Sequence, residues 1–249
     1  MHTILRKISV LVLAALCLAS PRLLFAQAPD GNPETPREGS FRLITLEAAM
    51  EDWYYLIGNT KVFVTFSASA KSEHYPLPKD GVLYFYREIP DATGKHSRSE
   101  RMGVLSVHAQ WKYPLVLVAA DPEQKGKYVF TPYNEDPATF PAGSIRLINH
   151  TKERIQVKLS DQTATVEPQQ VQTLSLKSSE LQVVDVELSV NRDGKPRPIY
   201  QRGWELESSM RITVFIVKGS DGYIHVCRLR ENETTFLPHR SGTRVVGSR

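Results

Sequence analysis

Apolar and polar residues alternate with a period of two through most of this chain. Val62, Val64 and Phe66 alternate with Phe63 and Thr65, and Ile155, Val157 and Leu159 alternate with Gln156, Lys158 and Ser160. Val184, Val186, Leu188 and Val190 alternate with Asp185, Glu187 and Ser189, and Met210, Ile212, Val214 and Ile216 with Arg211, Thr213 and Phe215. Successive side chains of a strand point to opposite faces, so these runs predict strands with one buried and one wetted face. Residues 115–120, the longest purely aliphatic run after the N-terminal segment, have strand length and are too short to span a bilayer.

Turn pairs fall at strand spacing: Gly58-Asn59, Asp80-Gly81, Asp193-Gly194 and Asp221-Gly222. The last joins two strong strand patterns and predicts a hairpin. Only residues 46–55 admit a helix of any length, and Trp53, Tyr54 and Tyr55 keep it short. Without helices between the strands, parallel strand–helix–strand units are excluded and antiparallel sandwiches follow.

Residues 132–141 (PYNEDPATFP) are turn-rich and separate two strand regions of similar length. Gly39-Ser40-Phe41-Arg42-Leu43-Ile44 is echoed by Gly143-Ser144-Ile145-Arg146-Leu147-Ile148, identical at five of six positions, which suggests two like units. The predicted fold is all-β, two consecutive antiparallel β-sandwich (Ig-like) domains at 41–136 and 139–232. A flexible leader, 29–40, precedes them, and a disordered basic tail, 233–249, follows.

Residues 1–28 read as a signal peptide. Arg6 and Lys7 precede an apolar run from Ile8 to Ala19, and Ala26 and Ala28 offer cleavage sites, with either cut open. The expected location is exported, periplasmic or extracellular, with no stable membrane span in the mature chain.

Composition is that of an ordinary globular protein: 249 residues, 41% hydrophobic and 23% charged. The net charge of +4 owes three units to Arg6, Lys7 and Arg22; past residue 28, 28 basic residues face 27 acidic ones. No extended basic field remains to hold nucleic acid or acidic lipid. Cys17 lies in the expected signal peptide, so Cys227 would stand alone in the mature chain and reads as a small hydrophobe within a strand.

The sequence carries none of the G-x-S-x-G, H-E-x-x-H, C-x-x-C or P-loop motifs. Its histidines show no zinc-ligand spacing, although His74 and His108 are candidates to meet in the fold. Asp121, Glu123, Glu135 and Asp136 sit in predicted loops without a calcium-loop framework and read as solvated turns. No catalytic residue, metal or cofactor is expected.

Aromatic residues are the distinctive feature. Trp53, Tyr54, Tyr55, Tyr84, Phe85, Tyr86, Trp111 and Tyr113 all fall in the first unit. Tyr84 and Tyr86 share one strand face and Phe85 takes the other, so one of these sets lies nearer the surface. Trp53, Tyr84, Tyr86 and Trp111 are the candidate ligand-binding residues, because sugar rings stack on exposed aromatic faces; filling the sandwich core is the alternative. In the second unit Trp204, Arg202 and Tyr200 are spaced for a cation–π ladder on an outer sheet face. Asn149-His150-Thr151 and Asn232-Glu233-Thr234 match the glycosylation acceptor pattern.

Phe140-Pro141-Ala142-Gly143-Ser144-Ile145-Arg146-Leu147-Ile148-Asn149, followed by an alternating strand and by Thr165-Val166-Glu167-Pro168, resembles an uncharacterised family of exported bacterial proteins with two small β-sandwiches. In that family an F-P-x-G-x-x-R-x-x-N run opens the second unit. More remotely, the layout is similar to the AlgF family of periplasmic accessory proteins of alginate O-acetylation. Neither resemblance brings catalytic residues; both imply a non-enzymatic envelope role. The expected function is therefore that of an exported non-catalytic accessory or protein-interaction component, with an envelope protein or glycan as partner. The alternative is a carbohydrate-binding module built on the aromatics of the first domain.

Overall fold

The computed structural model describes residues 39–47, 49–68, 70–175, 181–219, 221–232 and 235, all within one compact unit. The predicted signal peptide, the leader before Gly39 and the tail other than Thr235 lie outside the described residues.

The first half contains β1 (Ser40–Thr45), β2 (Met50–Ile57), β3 (Thr60–Phe66), β4 (Tyr75–Pro76), β5 (Val82–Pro90), β6 (Ser97–Ser106), β7 (Pro114–Ala120) and β8 (Tyr128–Asn134). The second contains β9 (Ser144–Asn149), β10 (Ile155–Leu159), β11 (Gln162–Val166), β12 (Val171–Ser175), β13 (Gln182–Arg192), β14 (Lys195–Leu206), β15 (Met210–Lys218) and β16 (Ile224–Asn232). The fold is all-β, as the alternation predicts. Where a helix is admitted at 46–55, residues 50–55 instead belong to β2. Trp53 and Tyr54 pair with β3 on one side and β5 on the other, and Tyr55 pairs with β3, so tertiary pairing overrides local ambiguity. Asp52, at a positive φ of 61°, sits in the irregularity that lets β2 begin.

The two halves repeat one topology. Sheets β4-β1-β7-β8 and β3-β2-β5-β6 form the first sandwich, and β12-β9-β15-β16 and β11-β10-β13-β14 form the second, in the same relative order. The sequence echo lies on β1 and β9. Each of these runs parallel to the seventh strand of its half, so the inner sheets are mixed rather than purely antiparallel. The four turn pairs fall between or beside strands as predicted, with Gly58, Gly81, Asp193, Gly194 and Gly222 at positive φ.

Each sandwich has its own core. Phe41, Trp53, Tyr55, Phe85, Val116 and their neighbours fill the first, and Leu147, Val157, Val186, Trp204, Val214 and theirs fill the second. A third apolar cluster, Ile44, Leu115, Leu117, Ile148, Phe215 and Leu229, joins the outward faces of the two inner sheets. The molecule is therefore four sheets deep, and β1, β7, β9 and β15 are buried on both faces. This corrects the wetted face expected for β15, where Arg211, Thr213 and Phe215 are buried between the sandwiches.

Candidate functional site

The register makes the junction between the sandwiches nearly self-matching. With Arg42 aligned on Arg146, the strand pairings place Ile44 opposite Ile148 in the repeat, Leu117 opposite Phe215 and Tyr133 opposite Leu229. Glu135 then corresponds to Glu231, because each follows its strand pairing onto Tyr113 or Arg211. Each half presents the same sheet face to the other, as a two-fold dimer does.

Charged groups are buried beside this apolar seam. Arg42 donates to Glu231 and, at 2.8 Å, to Glu135. Lys71 Nζ lies 2.6 Å from Glu135 Oε1 and also bonds Glu231. Arg211 donates to the carbonyls of Glu135 and Phe140 at 2.9 and 3.2 Å, and its guanidinium flanks both carboxylates. Burial alone would raise the Glu135 carboxyl, but the charges of Lys71, Arg42 and Arg211 hold it at about 2. Burial likewise opposes Glu231, which the Lys71 charge brings below its ordinary value. For Lys71 burial wins over both carboxylates, and its affinity for a proton falls.

The F-P-x-G-x-x-R-x-x-N run is part of this joint. Arg146 lies over the Phe140 ring at 4.2 Å and Arg211 at 4.9 Å. Arg146 also donates to the carbonyls of Asn134 and Thr139, tying down the connection between the sandwiches. Gly143, at φ 71°, donates to Met210 O. Asn149 Nδ2 lies within hydrogen-bond distance of the carbonyls of Glu153, Val166 and Glu167. That amide is consumed by turns, so Asn149 offers no acceptor for a glycan. Every residue class in the motif serves architecture.

The candidate site is elsewhere, on the solvent face of β3-β2-β5-β6. Tyr54 sits between Phe63 on β3 and Tyr86 on β5, its ring 5.8 Å and 5.7 Å from theirs. Tyr86 pairs across to Arg101 on β6, so one row of side chains crosses the sheet. A second row holds Leu56 opposite Lys61, and Tyr84 opposite Val104. Phe63 is 63% exposed, and Leu56, Tyr84 and Val104 are exposed by 43–47%. Lys61 lies over the Tyr54 ring at 4.3 Å and Arg101 near the Tyr84 ring at 5.6 Å. Glu88 accepts from Tyr54 Oη, Lys61 Nζ and Ser99 Oγ, and the Lys61 bond foremost lowers its carboxyl to about 2.

The equivalent face of the second sandwich supplies a control within the molecule. On β10, β11 and β13 it carries Gln156, Lys158, Thr163, Thr165, Glu187 and Ser189. The topology is the same and the face is polar apart from Val183, 68% exposed on β13, so the fold does not require aromatics there. An exposed apolar face with a charged border is the signature of a contact surface.

The four predicted site residues are divided by the structure. Tyr84 and Tyr86 lie on the outer face. Trp53 is 1% exposed, packed edge-on against Phe66 and Tyr128 in the first core, so its ring is closed to a ligand. Trp111 is half-buried against that core at the loop before β7, beside His108. The sequence reading missed Phe63 and Leu56. Their positions alternating with half-buried Val62 and buried Val64 and Tyr55 were the available signal, since alternation turns them outward.

The remaining candidates resolve into structural roles. His74 pairs with Ser40 Oγ at 2.9 Å while His108 lies beside Trp111. The expected ladder of Trp204, Arg202 and Tyr200 is replaced. Trp204 is buried, donates to Tyr200 Oη at 2.9 Å, and Arg228 supplies the cation at 5.3 Å. Asp121 accepts a backbone N–H of its own loop, Asp136 accepts those of Lys112 and Tyr113 before β7, and Glu135 belongs to the buried ion cluster. Cys227 is half-buried at the junction, where burial raises its thiol, and His225 bonds Asp221 instead of it. Among the described residues no group of acidic, His or Cys side chains is arranged to hold a metal.

An all-β protein of two stacked sandwiches with one aromatic outer face is the class that fold and site define. Compared with known proteins, the chain matches no family model, and no curated protein matches it.

Proposed function

We propose that this chain is an exported, non-catalytic β-sandwich protein that works by docking a partner on the outer face of its first sandwich, as an envelope or periplasmic accessory component. The outer-face row of Phe63, Tyr54, Tyr86 and Arg101, in which Phe63 and Arg101 are exposed, Tyr86 is half-buried and Tyr54 is covered by its neighbours, carries the reading together with exposed Leu56, Tyr84 and Val104 beside it. Tyr, Phe and Arg are enriched in interface cores, and aliphatic Leu56 and Val104 between the rings suit a protein contact. The positively charged start and apolar run of residues 1–28 support export, and the resemblance to exported two-sandwich families supports an accessory role.

A photo-crosslinking residue placed at Tyr84 tests this in cells at native expression. Trapping of a discrete partner from Tyr84, and none from Gln156 on the matching polar face, is expected. Equal labelling from both positions overturns the reading.

The second reading is a glycan-binding face. The half-exposed Tyr84 ring with Arg101 at its side favours it, because a sugar stacks on the ring while the guanidinium bonds its hydroxyls. Retention of polysaccharide on an affinity gel, lost in Tyr84→Ala, distinguishes it.

A further inference from the structure

We infer that the partner engages this surface as an extended peptide segment, adding a strand beside β3 and laying apolar side chains against Phe63; the inference rests on the docking face proposed above.

The edge of β3 carries the argument. Alternate residues of a strand turn their N–H and C=O groups the same way. Ser67 and Thr65 turn theirs away from β2, and the protein covers both. Thr45 N–H donates to Ser67 O at 3.3 Å. The Tyr75 hydroxyl accepts from Thr65 N–H at 2.9 Å and donates to Thr65 O at 3.1 Å. The same parity turns the backbone groups of Phe63 and Lys61 to this edge. There the cover ends, and among the described residues β3 pairs with β2 alone. Phe63, at 63% exposure, stands where the open edge meets the aromatic row.

Three other edges of the molecule, those of β4, β14 and β6, are blunted. β4 has two residues. β14 carries Pro196 and Pro198, which cannot donate to an added strand. β6 is met by Lys127, whose Nζ donates to Arg101 O at 2.8 Å, and by the backbone of Tyr128 against Gly103. β3 has neither Pro nor Gly, and its sequence T-K-V-F-V-T-F is β-branched and aromatic. An unpaired, regular edge of that composition is the template for strand addition. A polysaccharide has no regular peptide N–H and C=O ladder to pair with such an edge, so the edge selects a peptide over a sugar.

Short linear peptides selected by display on the full-length chain provide the probe. Lys61→Pro removes one outward N–H while leaving the β2 pairing and the Phe63 ring in place. Peptides with apolar residues at alternate positions are expected. Their affinity should fall about tenfold or more in Lys61→Pro, the scale of one or two hydrogen bonds, and amide exchange at Phe63 should slow on binding. N-methylation of alternate peptide residues should abolish the complex. Binding that survives Lys61→Pro but fails in Tyr84→Ala overturns strand addition and leaves the docking face standing. Binding insensitive to both removes both. A polysaccharide bound through Tyr84 without any selected peptide, or a dimer of the chain that Lys61→Pro dissociates, also overturns the proposal by naming a different occupant. Circular dichroism of Lys61→Pro, unchanged from wild type, certifies that the variant is folded.

Discussion

Arg42 in the first sandwich is hydrogen-bonded to Glu231 in the second, and Glu135, the counterpart of Glu231 in the repeat, lies 2.8 Å from another nitrogen of the same guanidinium. One cation thus holds the matching carboxylates of both halves. Its side chain is 7% exposed and theirs 2% and 8%, so little water is at hand to replace a lost partner. Removing one member of a buried ion cluster strands the others, which costs about 3–5 kcal/mol. Arg42→Ala should lower unfolding free energy by that amount in urea titration. Lys61→Ala, which breaks the exposed, solvent-screened pair with Glu88, should leave the urea midpoint close to that of wild type.

Acid should weaken the fold in two stages. Burial, followed by the Arg42 charge, lowers His74 from 6.5 to about 4, and burial lowers His150 in the same direction. Between those values the unfolded chain binds a proton that the folded chain refuses, so stability falls as pH drops from 6.5 toward 4. Glu135, held at about 2 against an ordinary 4.5, contributes stability above 4.5 that is lost as pH falls from there toward 2. Urea midpoints measured across this range should show both declines. In His74→Gln/His150→Gln the first should flatten while the second persists.

Trp53 and Tyr84, which the sequence treats alike, should separate cleanly. Trp53→Ala empties the first core and should cost about 3–5 kcal/mol. Tyr84→Ala, on the solvent face, should stay within about 0.5 kcal/mol of wild type while impairing partner binding. A Tyr84 variant that unfolds readily would place that ring in the architecture rather than in recognition.

The apolar seam predicts that the sandwiches unfold together. Phe215 is buried among Ile44, Leu115, Leu117 and Ile148 from both halves. Phe215→Ala should cost about 3–5 kcal/mol and move one calorimetric transition for the whole chain. Two separate transitions in the wild type would show that the seam does not couple the halves.

Gly103 should resist substitution. A Cβ there would lie 2.5 Å from Tyr128 O and 2.6 Å from the Phe130 ring, where β6 closes against β8. Gly103→Ala should destabilise by about 1–3 kcal/mol in the same titration. Gly94→Ala has open space around it, and only its φ of 67° opposes the change.

Alternation in Val184–Val190 and Ile155–Leu159 was enough to place β13 and β10 and to sort their inward residues, because those strands have one wet face. It misled at β15, where both faces are buried and a polar residue marks an ion cluster instead of solvent. The aromatic set was legible as a feature of the first half, and Tyr84 and Tyr86 were read on a common face. Trp53 could not be separated from them, since a large apolar ring is equally at home in a core or on a contact surface.

By itself the sequence determined the alternating strands, their turns, the two-unit plan and the absence of recognised catalytic motifs, all of which depend on neighbours close along the chain, though not β2, whose segment also admitted a helix. The tertiary structure alone decided which sheet faces meet, that Arg42, Lys71, Glu135, Arg211 and Glu231 converge, and that among the described residues β3 pairs with β2 alone. Those outcomes depend on pairings between residues as far as 189 positions apart, and a local pattern of polarity holds no information about what will be packed against it.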